Sequence, residues 1–267
     1  MSDWQQLLRQ AKLQETIDSV IQSIKSNPKD AALRSYFIEL LCIDGQLERA
    51  DEQLMQAIKL FPEFLAGASQ IRHLVKAAQA RVDFFQGGAT ANFLGSNEEQ
   101  YAKLTELNLA IHEQKEDDVE SISKALEELR PSTPLLINGT QYEDVRDIDD
   151  SLNGFIELFS STGNYYLAPL DQLVYLNIKP ATNLLETVWR PVEFEIKGVI
   201  EGEAHIPLTY ARSETDGNKL GKETDWKPVS GESVFAGLGQ KVWLAGEGAL
   251  PLATVTSIES EPQTTEA

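Results

Sequence analysis

Through residue 130 the apolar side chains recur every three or four positions; beyond it they alternate with polar ones or fall in short runs between turn residues. The first pattern predicts helices with one apolar face, the second predicts strands. Leu13, Ile17, Val20, Ile21 and Ile24 mark the first helical face. Asn27-Pro28 ends it, because proline pushes its predecessor out of the α region. A second helix is predicted over about 29–43, stopped at Asp44-Gly45, and a third over 46–60, stopped at Phe61-Pro62. Phe64, Ala68, Ile71, Val75, Ala78 and Val82 mark another, ending before Gly87-Gly88. After a loop over 87–97, Ser96 and Glu99 form a predicted capping box for a helix carrying Tyr101, Leu104, Leu107 and Ile111. A last helix, with Val119, Ile122, Leu126 and Leu129, is stopped by Arg130-Pro131. Six or seven antiparallel helices are expected.

Pro28 and Pro62 stand 34 residues apart, which is the tetratricopeptide period. The unit between them resembles such a repeat. Gly45 takes the turn position, Ala50 and Ala57 the small positions where paired helices touch, and Leu54 the large position between them. Arg34 and Ile38 replace the usual tryptophan and glycine, and one period earlier Thr16, Val20 and Ser23 match more weakly. Such stacks present a concave face that holds an extended or helical peptide. By this resemblance Ala32, Ser35, Glu39, Cys42 and Ile43 line a peptide-binding groove. The alternative is that two repeats make too little groove and these side chains pack against the second domain.

Residues 135–142 (LLINGTQY) read as a hairpin, with Asn138-Gly139 suited to a type I′ turn. A strand over 154–160 turns at 161–164 into another over 165–168, and one short helical turn over 169–173 precedes a strand at 174–176. Residues 192–198 alternate apolar and charged, as a strand with one wet face should, and Gly202 is expected to turn it into 204–208. Residues 240–245 and 252–258 supply the last two strands. Residues 211–231 are polar and broken by Gly217, Gly221, Pro228 and Gly231, so a long surface loop is expected. The fold class is therefore α+β. A tetratricopeptide-like antiparallel helical stack (1–130) precedes a smaller strand-rich domain (131–260), a curled antiparallel sheet or small barrel of five to seven strands. Residues 261–267 are expected to be a frayed tail.

At 42% hydrophobic and 24% charged residues the chain is globular material rather than disordered. No apolar run approaches the roughly 18 residues that span a bilayer, and the first residues show no secretory pattern, so the cytoplasm is the expected location. The lone Cys42 excludes an intrachain disulfide and a cysteine zinc cage. The net charge of −19 is unevenly placed: residues 1–81 carry ten Lys/Arg against ten Asp/Glu, and residues 82–267 carry thirteen against thirty-two. Such a surface repels phosphate backbones and anionic lipid, which excludes nucleic acid and membrane as expected partners. It suits a basic protein partner, or solubility alone.

The densest carboxylate cluster lies in residues 143–164, where helices give way to strands. Read as a calcium loop from Asp147, the cluster puts Asp149 at the third position, but Leu152 at the required glycine and Leu158 at the closing glutamate. Asp147-Ile148-Asp149 matches a metal-holding Asp-x-Asp only over three residues. Asp147, Asp149 and Asp150 are thus either the centre of a metal-dependent enzyme or, preferred here, a solvated turn whose carboxylates cap backbone donors or pair with Arg146. Residues 217–224 (GNKLGKET) miss a phosphate loop by one residue between the glycines and by Glu223 after Lys222. Residues 237–240 read as a turn. His73, His112 and His205 are too scattered for a metal site, and Cys42 sits among Leu40, Leu41 and Ile43 as a buried thiol. No catalytic, cofactor-binding or metal-ligating set emerges. Trp189-Arg190 and Trp226 either cover the end of a small sheet or anchor a protein interface, where Trp and Arg are enriched.

Several stretches together carry a wider resemblance. Residues 40–51 (LLCIDGQLERAD), 142–150 (YEDVRDIDD), 163–166 (GNYY), 184–191 (LLETVWRP), 206–210 (IPLTY), 220–226 (LGKETDW) and 237–240 (GLGQ) resemble, in order, the signature of the ImpE family, also called SciE or TagJ. The likeness covers roughly residues 5–255, with Glu186-Thr187-Val188 departing from the family's usual run before the tryptophan. The resemblance implies an accessory protein of the bacterial type VI secretion system, without catalytic activity. It further implies binding of the N-terminal part of the sheath small subunit and a link to the ClpV ATPase that disassembles sheath. An adaptor, a metal-dependent enzyme and a chaperone for sheath subunits are the three readings. Metal affinity separates the second, and persistence of binding on assembled sheath the third.

Overall fold

A computed structural model describes residues 3–231 and 233–260, so the tail expected over 261–267 lies outside the described residues. The helical half runs α1 (Asp3–Arg9), α2 (Leu13–Ser26), α3 (Ala31–Asp44), α4 (Leu47–Leu60) and α5 (Leu65–Phe85). After a two-residue strand, β1 (Asn92–Phe93), follow α6 (Glu98–His112) and α7 (Glu116–Leu129). Local chemistry sets the ends. Asp30 accepts a hydrogen bond from the Leu33 N–H at 3.0 Å and so caps α3, and Gly45, at φ 83°, closes it in the left-handed region. Ala50, Leu54 and Ala57 are buried in α4 as the repeat pattern requires. Helix α6 starts differently from expectation: Asn97, not Ser96, accepts from the Gln100 N–H at 3.2 Å.

The strand-rich half holds β2 (Leu135–Ile137), β3 (Thr140–Tyr142), β4 (Val145–Asp147), β5 (Phe155–Ser160), β6 (Tyr165–Pro169) and β7 (Leu173–Ile178). It continues with β8 (Trp189–Ile196), β9 (Ile200–Pro207), the short α8 (Asp216–Lys219), β10 (Thr224–Ser230), β11 (Val234–Gly239), β12 (Val242–Ala245), β13 (Gly248–Pro251) and β14 (Ser257–Ser260). Nine strands form one open sheet in the order β1-β6-β5-β9-β8-β7-β14-β2-β3. All its pairings are antiparallel except β1 with β6. Separate sheets are β13-β12-β4 and β10-β11. The sheet is not closed into a barrel.

The predicted hairpin is present, with Asn138 at φ 49° and Gly139 at φ 77° between β2 and β3. Elsewhere pairing overrides the local reading. The β8–β9 turn falls at Gly198 (φ 68°), and Gly202 lies inside β9 opposite Phe194. The loop expected over 211–231 contains α8 and β10, and Gly237–Gly239, expected as a turn, is the end of β11 paired with β10. Residues 252–254 form a 3-10 turn rather than strand. Glu259 and Ser260, beyond the expected last strand, pair with Leu136 and Leu135.

The nine-stranded sheet has two unlike faces. One, carrying Ile156, Leu158, Val192, Phe194, Ile196 and Ile206, packs on Val145, Trp243 and Ala245 from the three-stranded sheet in a core drawn mainly from strand and 3-10 turn residues of the second half. The other face carries Phe155, Glu157 and Phe159 of β5 under the helices, and there the helical and strand halves share a single core. Helix α5 lies over β5 and β6, and α3 over the 3-10 turn Leu185–Thr187. Trp189, at the start of β8, still lies in the core with the helices, and farther along the same face carries half-buried Tyr175, Glu193 and Glu195 and exposed Glu201, Glu203 and Glu259.

Candidate functional site

A cluster of buried charged side chains lies at the boundary between the halves. At its centre Glu157 projects from β5 toward α5. Arg81 grips it with two hydrogen bonds, Nε to Oε1 at 2.6 Å and Nη2 to Oε2 at 2.8 Å, and a third goes to the Thr209 carbonyl at 2.8 Å. The Tyr165 hydroxyl donates to Glu157 Oε1 at 2.8 Å, and Lys241 Nζ lies 2.7 Å from Oε2. Lys241 also reaches Asp147 Oδ2 at 3.2 Å. Arg81, Glu157, Lys241 and Asp147 are all buried, which makes two cations and two carboxylates in a dry interior. Burial alone would raise Glu157, but Arg81 and Lys241 hold its pKa down to about 2. Asp147 is raised above the ordinary carboxylate range by its burial, against the pull of Lys241.

The aspartates of residues 147–150 are part of this boundary, and they are not a solvated turn. Asp147 and Asp149 are buried. All six of the cluster's carboxylate oxygens accept hydrogen bonds from the protein itself. Asp147 Oδ1 takes the Asp149 N–H at 3.0 Å and the Tyr210 hydroxyl at 2.8 Å, while Oδ2 takes Lys241. Asp149 Oδ1 accepts from the Ser151 N–H at 2.8 Å and its Oδ2 from the Gly237 N–H at 3.0 Å. Asp150 pairs with Arg146 through Oδ1 and accepts the Phe235 N–H at 2.8 Å through Oδ2. A divalent cation needs several free hard oxygens, and these are spoken for. The backbone capping and the Arg146 partner match the sequence reading; the burial corrects it. Gly237 is required here, because a Cβ on it would stand 2.4 Å from the Tyr210 ring.

A second polar tie lies beside the first. Glu127 of α7 accepts from Arg130 and from Arg146, the latter at 3.1 Å, and also from Asn153 Nδ2 at 2.6 Å. Arg130 in turn holds Asp144 through two bonds of 2.7 and 2.8 Å. Arg212, also half-buried, donates to Ser151 Oγ at 2.8 Å and lies over the Phe85 ring at 4.9 Å.

The five groove positions divide. Ala32 is exposed and Ser35 half-buried, whereas Glu39, Cys42 and Ile43 are buried. Glu39 accepts the Leu184 and Leu185 N–H groups at 3.0 and 3.2 Å and the Ser35 hydroxyl at 3.1 Å. The helical stack thus receives a stretch of this chain's own second half where a repeat protein would receive a foreign peptide. Burial raises the Glu39 carboxyl and pushes the Cys42 thiol well up, leaving it a protonated core group. Trp189 is buried, edge-on to Phe159 at 5.5 Å, while Arg190 donates to the Glu186 carbonyl at 2.8 Å. Trp226 lies apart on β10 and is 40% exposed. Trp189 is thus part of the core between helices and sheet, and Trp226 is the one exposed ring of the two tryptophans.

Where α3 and α5 diverge from β8 and β9 a cleft of about 360 Å³ remains open. Ile71, Leu74, Leu185, Trp189 and Pro191 give it apolar walls, and Glu39, Lys179, Glu186, Glu203 and His205 give it polar ones. Burial lowers the His205 pKa, so the ring is neutral near pH 7.

The sequence reading did not single out Arg81, Glu157, Lys241, Tyr165 or Tyr210. A signal existed for two of them. Arg81 falls in phase with Leu74, Ala77, Ala78 and Phe85, and Glu157 interrupts the otherwise apolar Phe155–Phe159 run, so each is a charge at a core position. For Lys241 no local signal exists, because its partners lie 94 and 84 residues away.

Residues 139–259 match the model of the ImpE protein family. Over 261 residues, 97% of this chain and 91% of the other, the sequence is 24% identical to the type VI secretion system accessory component TagJ of Pseudomonas aeruginosa. The crystal structure of protein VPA1032 from Vibrio parahaemolyticus matches with a TM-score of 0.95 and 54% sequence identity, over 98% of each chain.

Proposed function

The chain belongs to the ImpE family, and from that premise we propose that it is an accessory protein of a type VI secretion system, acting as a non-catalytic adaptor in the cytoplasm. Its partners are protein: the N-terminal segment of the sheath small subunit and, through the sheath, the ClpV ATPase. The observation that carries this reading is the likeness to the Pseudomonas accessory component along nearly the whole chain, helices included. Three further features support it. The carboxylates best placed for chemistry are engaged in structural hydrogen bonds, those of Asp147 and Asp149 within the strand-rich half and that of Glu157 to Arg81 of α5. The halves share a single hydrophobic core. No helix among the described residues is long and apolar enough to cross a membrane.

The test is affinity capture with this chain as bait against the sheath subunits and the ATPase of the same bacterium. Retention of the small subunit, lost when its N-terminal segment is deleted, is the expected result. Capture of neither sheath subunit nor ATPase would remove the adaptor reading.

A further inference from the structure

The sheet face that the helices leave bare is predominantly acidic. Cross-strand partners share a face, so the register places Glu193 beside Glu203 and Glu195 beside Glu201 on β8 and β9. Tyr175 of β7 and Glu259 of β14 lie in the same row as Glu195. Like charges directly opposite one another on a sheet are destabilising, yet here two such pairs stand side by side. Lys179 is the one cation among the described residues that pairs with any of them, 2.9 Å from both Glu193 and Glu203. Glu195 and Glu201 have no ion-pair partner among the described residues; Glu201 accepts only the Tyr175 hydroxyl, at 2.9 Å.

This acidic row runs directly into the cleft. Pro191 pairs with His205 one step beyond the Glu193–Glu203 pair, and both line the cleft floor. From His205 to Glu201 is four residues of β9, about 13 Å at the strand rise of roughly 3.3 Å per residue. An apolar pocket walled by Trp189, Ile71 and Leu74 thus opens at one end onto a straight file of carboxylates. Neutral His205 adds no positive charge at the junction. Glu39 and Glu186 add further carboxyl groups on the helical side, each already bonded to backbone N–H groups.

We propose that this cleft and the adjoining β8–β9 face form the protein-docking surface, taking a partner segment with a large apolar side chain for the cleft followed by lysines or arginines over the acidic row. The partner's identity rests on the adaptor reading; the chemistry of the segment rests on the surface itself. Apolar burial at one end supplies affinity, and charge complementarity along the row supplies direction and association rate.

Gly67 gives a clean test. It lines the cleft from α5, and a Cβ on it would meet no atom within 4 Å. Gly67→Trp therefore fills the cleft without entering the core. Glu195→Gln with Glu201→Gln removes charge from the row while relieving repulsion. Asp117→Asn with Glu128→Gln, on exposed positions of α7, controls for general acidity. Two probes are titrated into the full chain by calorimetry: the purified sheath small subunit, and the synthetic peptide Ac-Phe-Leu-Lys-Ser-Lys-Lys-amide. The wild-type chain is expected to bind both. Gly67→Trp should weaken both about tenfold or more, as blocking a buried anchor does, and the Glu195/Glu201 pair should weaken both severalfold with a flatter salt dependence. The α7 control should leave both unchanged. If the subunit binds but neither cleft nor row variant affects it, the docking surface is wrong and the adaptor reading stands. If the peptide binds through the cleft and the subunit does not bind, the adaptor reading falls and the surface stands. Binding of neither probe overturns both.

Discussion

Glu157 and Glu203 project from the same face of the same sheet, one beneath helix α5 and the other beyond its edge. Glu157 is enclosed by Arg81, Lys241 and Tyr165, with both oxygens satisfied by donors from α5, β6 and the β11–β12 connection. Glu203 stands in water opposite another glutamate and shares one lysine with it. The residue type is identical and the environment inverts its meaning. Under the helices a carboxylate needs close partners for both oxygens, since removing ions from water costs several kcal/mol each unless their partners are close. On the bare face water screens the repulsion, and the charge remains available to something arriving from outside. Saturation of hydrogen-bonding capacity, more than charge itself, separates the part of this molecule that holds it together from the part that can meet a partner.

That contrast can be broken most forcefully at its buried pole. Glu157→Gln keeps the shape but leaves Arg81 and Lys241 without their shared counter-ion, and we expect a loss of about 3–5 kcal/mol in urea unfolding, the range for an orphaned buried charge. A loss below about 1 kcal/mol, typical of surface pairs, would mean water reaches the site. Acid acts on the same group. With a folded pKa near 2 against an ordinary 4.5, Glu157 stabilises the fold above pH 4.5, and that contribution fades as pH falls from there toward 2. Unfolding curves recorded between pH 6 and pH 2 should therefore decline more steeply for the wild type than for Glu157→Gln.

Glu39 is the intermediate case, a buried carboxyl whose partners are amides rather than cations. Glu39→Ala would orphan the Leu184 and Leu185 N–H groups and cost about 1–3 kcal/mol, with faster hydrogen exchange at those two amides than at the β5 amides. Exchange unchanged at both would show that the 3-10 turn holds itself. At the exposed pole the expected effect is smallest and of opposite sign. Glu195→Gln with Glu201→Gln should leave unfolding free energy unchanged or raise it by about 0.5 kcal/mol, because only cross-strand repulsion is lost. A clear destabilisation would place these side chains in some structural role.

How far this contrast could be read from sequence follows from how far apart its members lie. Helix ends were legible because proline and glycine act within one turn: Asn27-Pro28, Gly45 and Phe61-Pro62 all fall at boundaries. The Asn138-Gly139 hairpin was legible for the same reason. Strand β10 was not, since its sequence, TDWKPVS, is polar and contains a proline, and only pairing with β11 makes it a strand. The aspartate cluster shows both limits. Spacing correctly ruled out a calcium loop, but Tyr210, Gly237 and Lys241, which bury and saturate the carboxylates, lie 63 to 94 residues farther on. The alternation in β8 was visible, while the stacking of its glutamates against those of β9 depends on a turn at Gly198 that had been placed at Gly202.

The position of β14 has a consequence for how the protein comes into being. The last strand among the described residues sits in the interior of the nine-stranded sheet, between β7 and β2. During synthesis the helices and most strands emerge early, but β2 and β3 have no sheet to join until Ser257–Ser260 arrives. Until then two strand edges and the apolar row of Leu135, Ile137 and Leu176 stand open, a surface on which nascent chains associate wrongly. Any chain that has not yet placed Ser257–Ser260 therefore carries its largest sheet in two pieces.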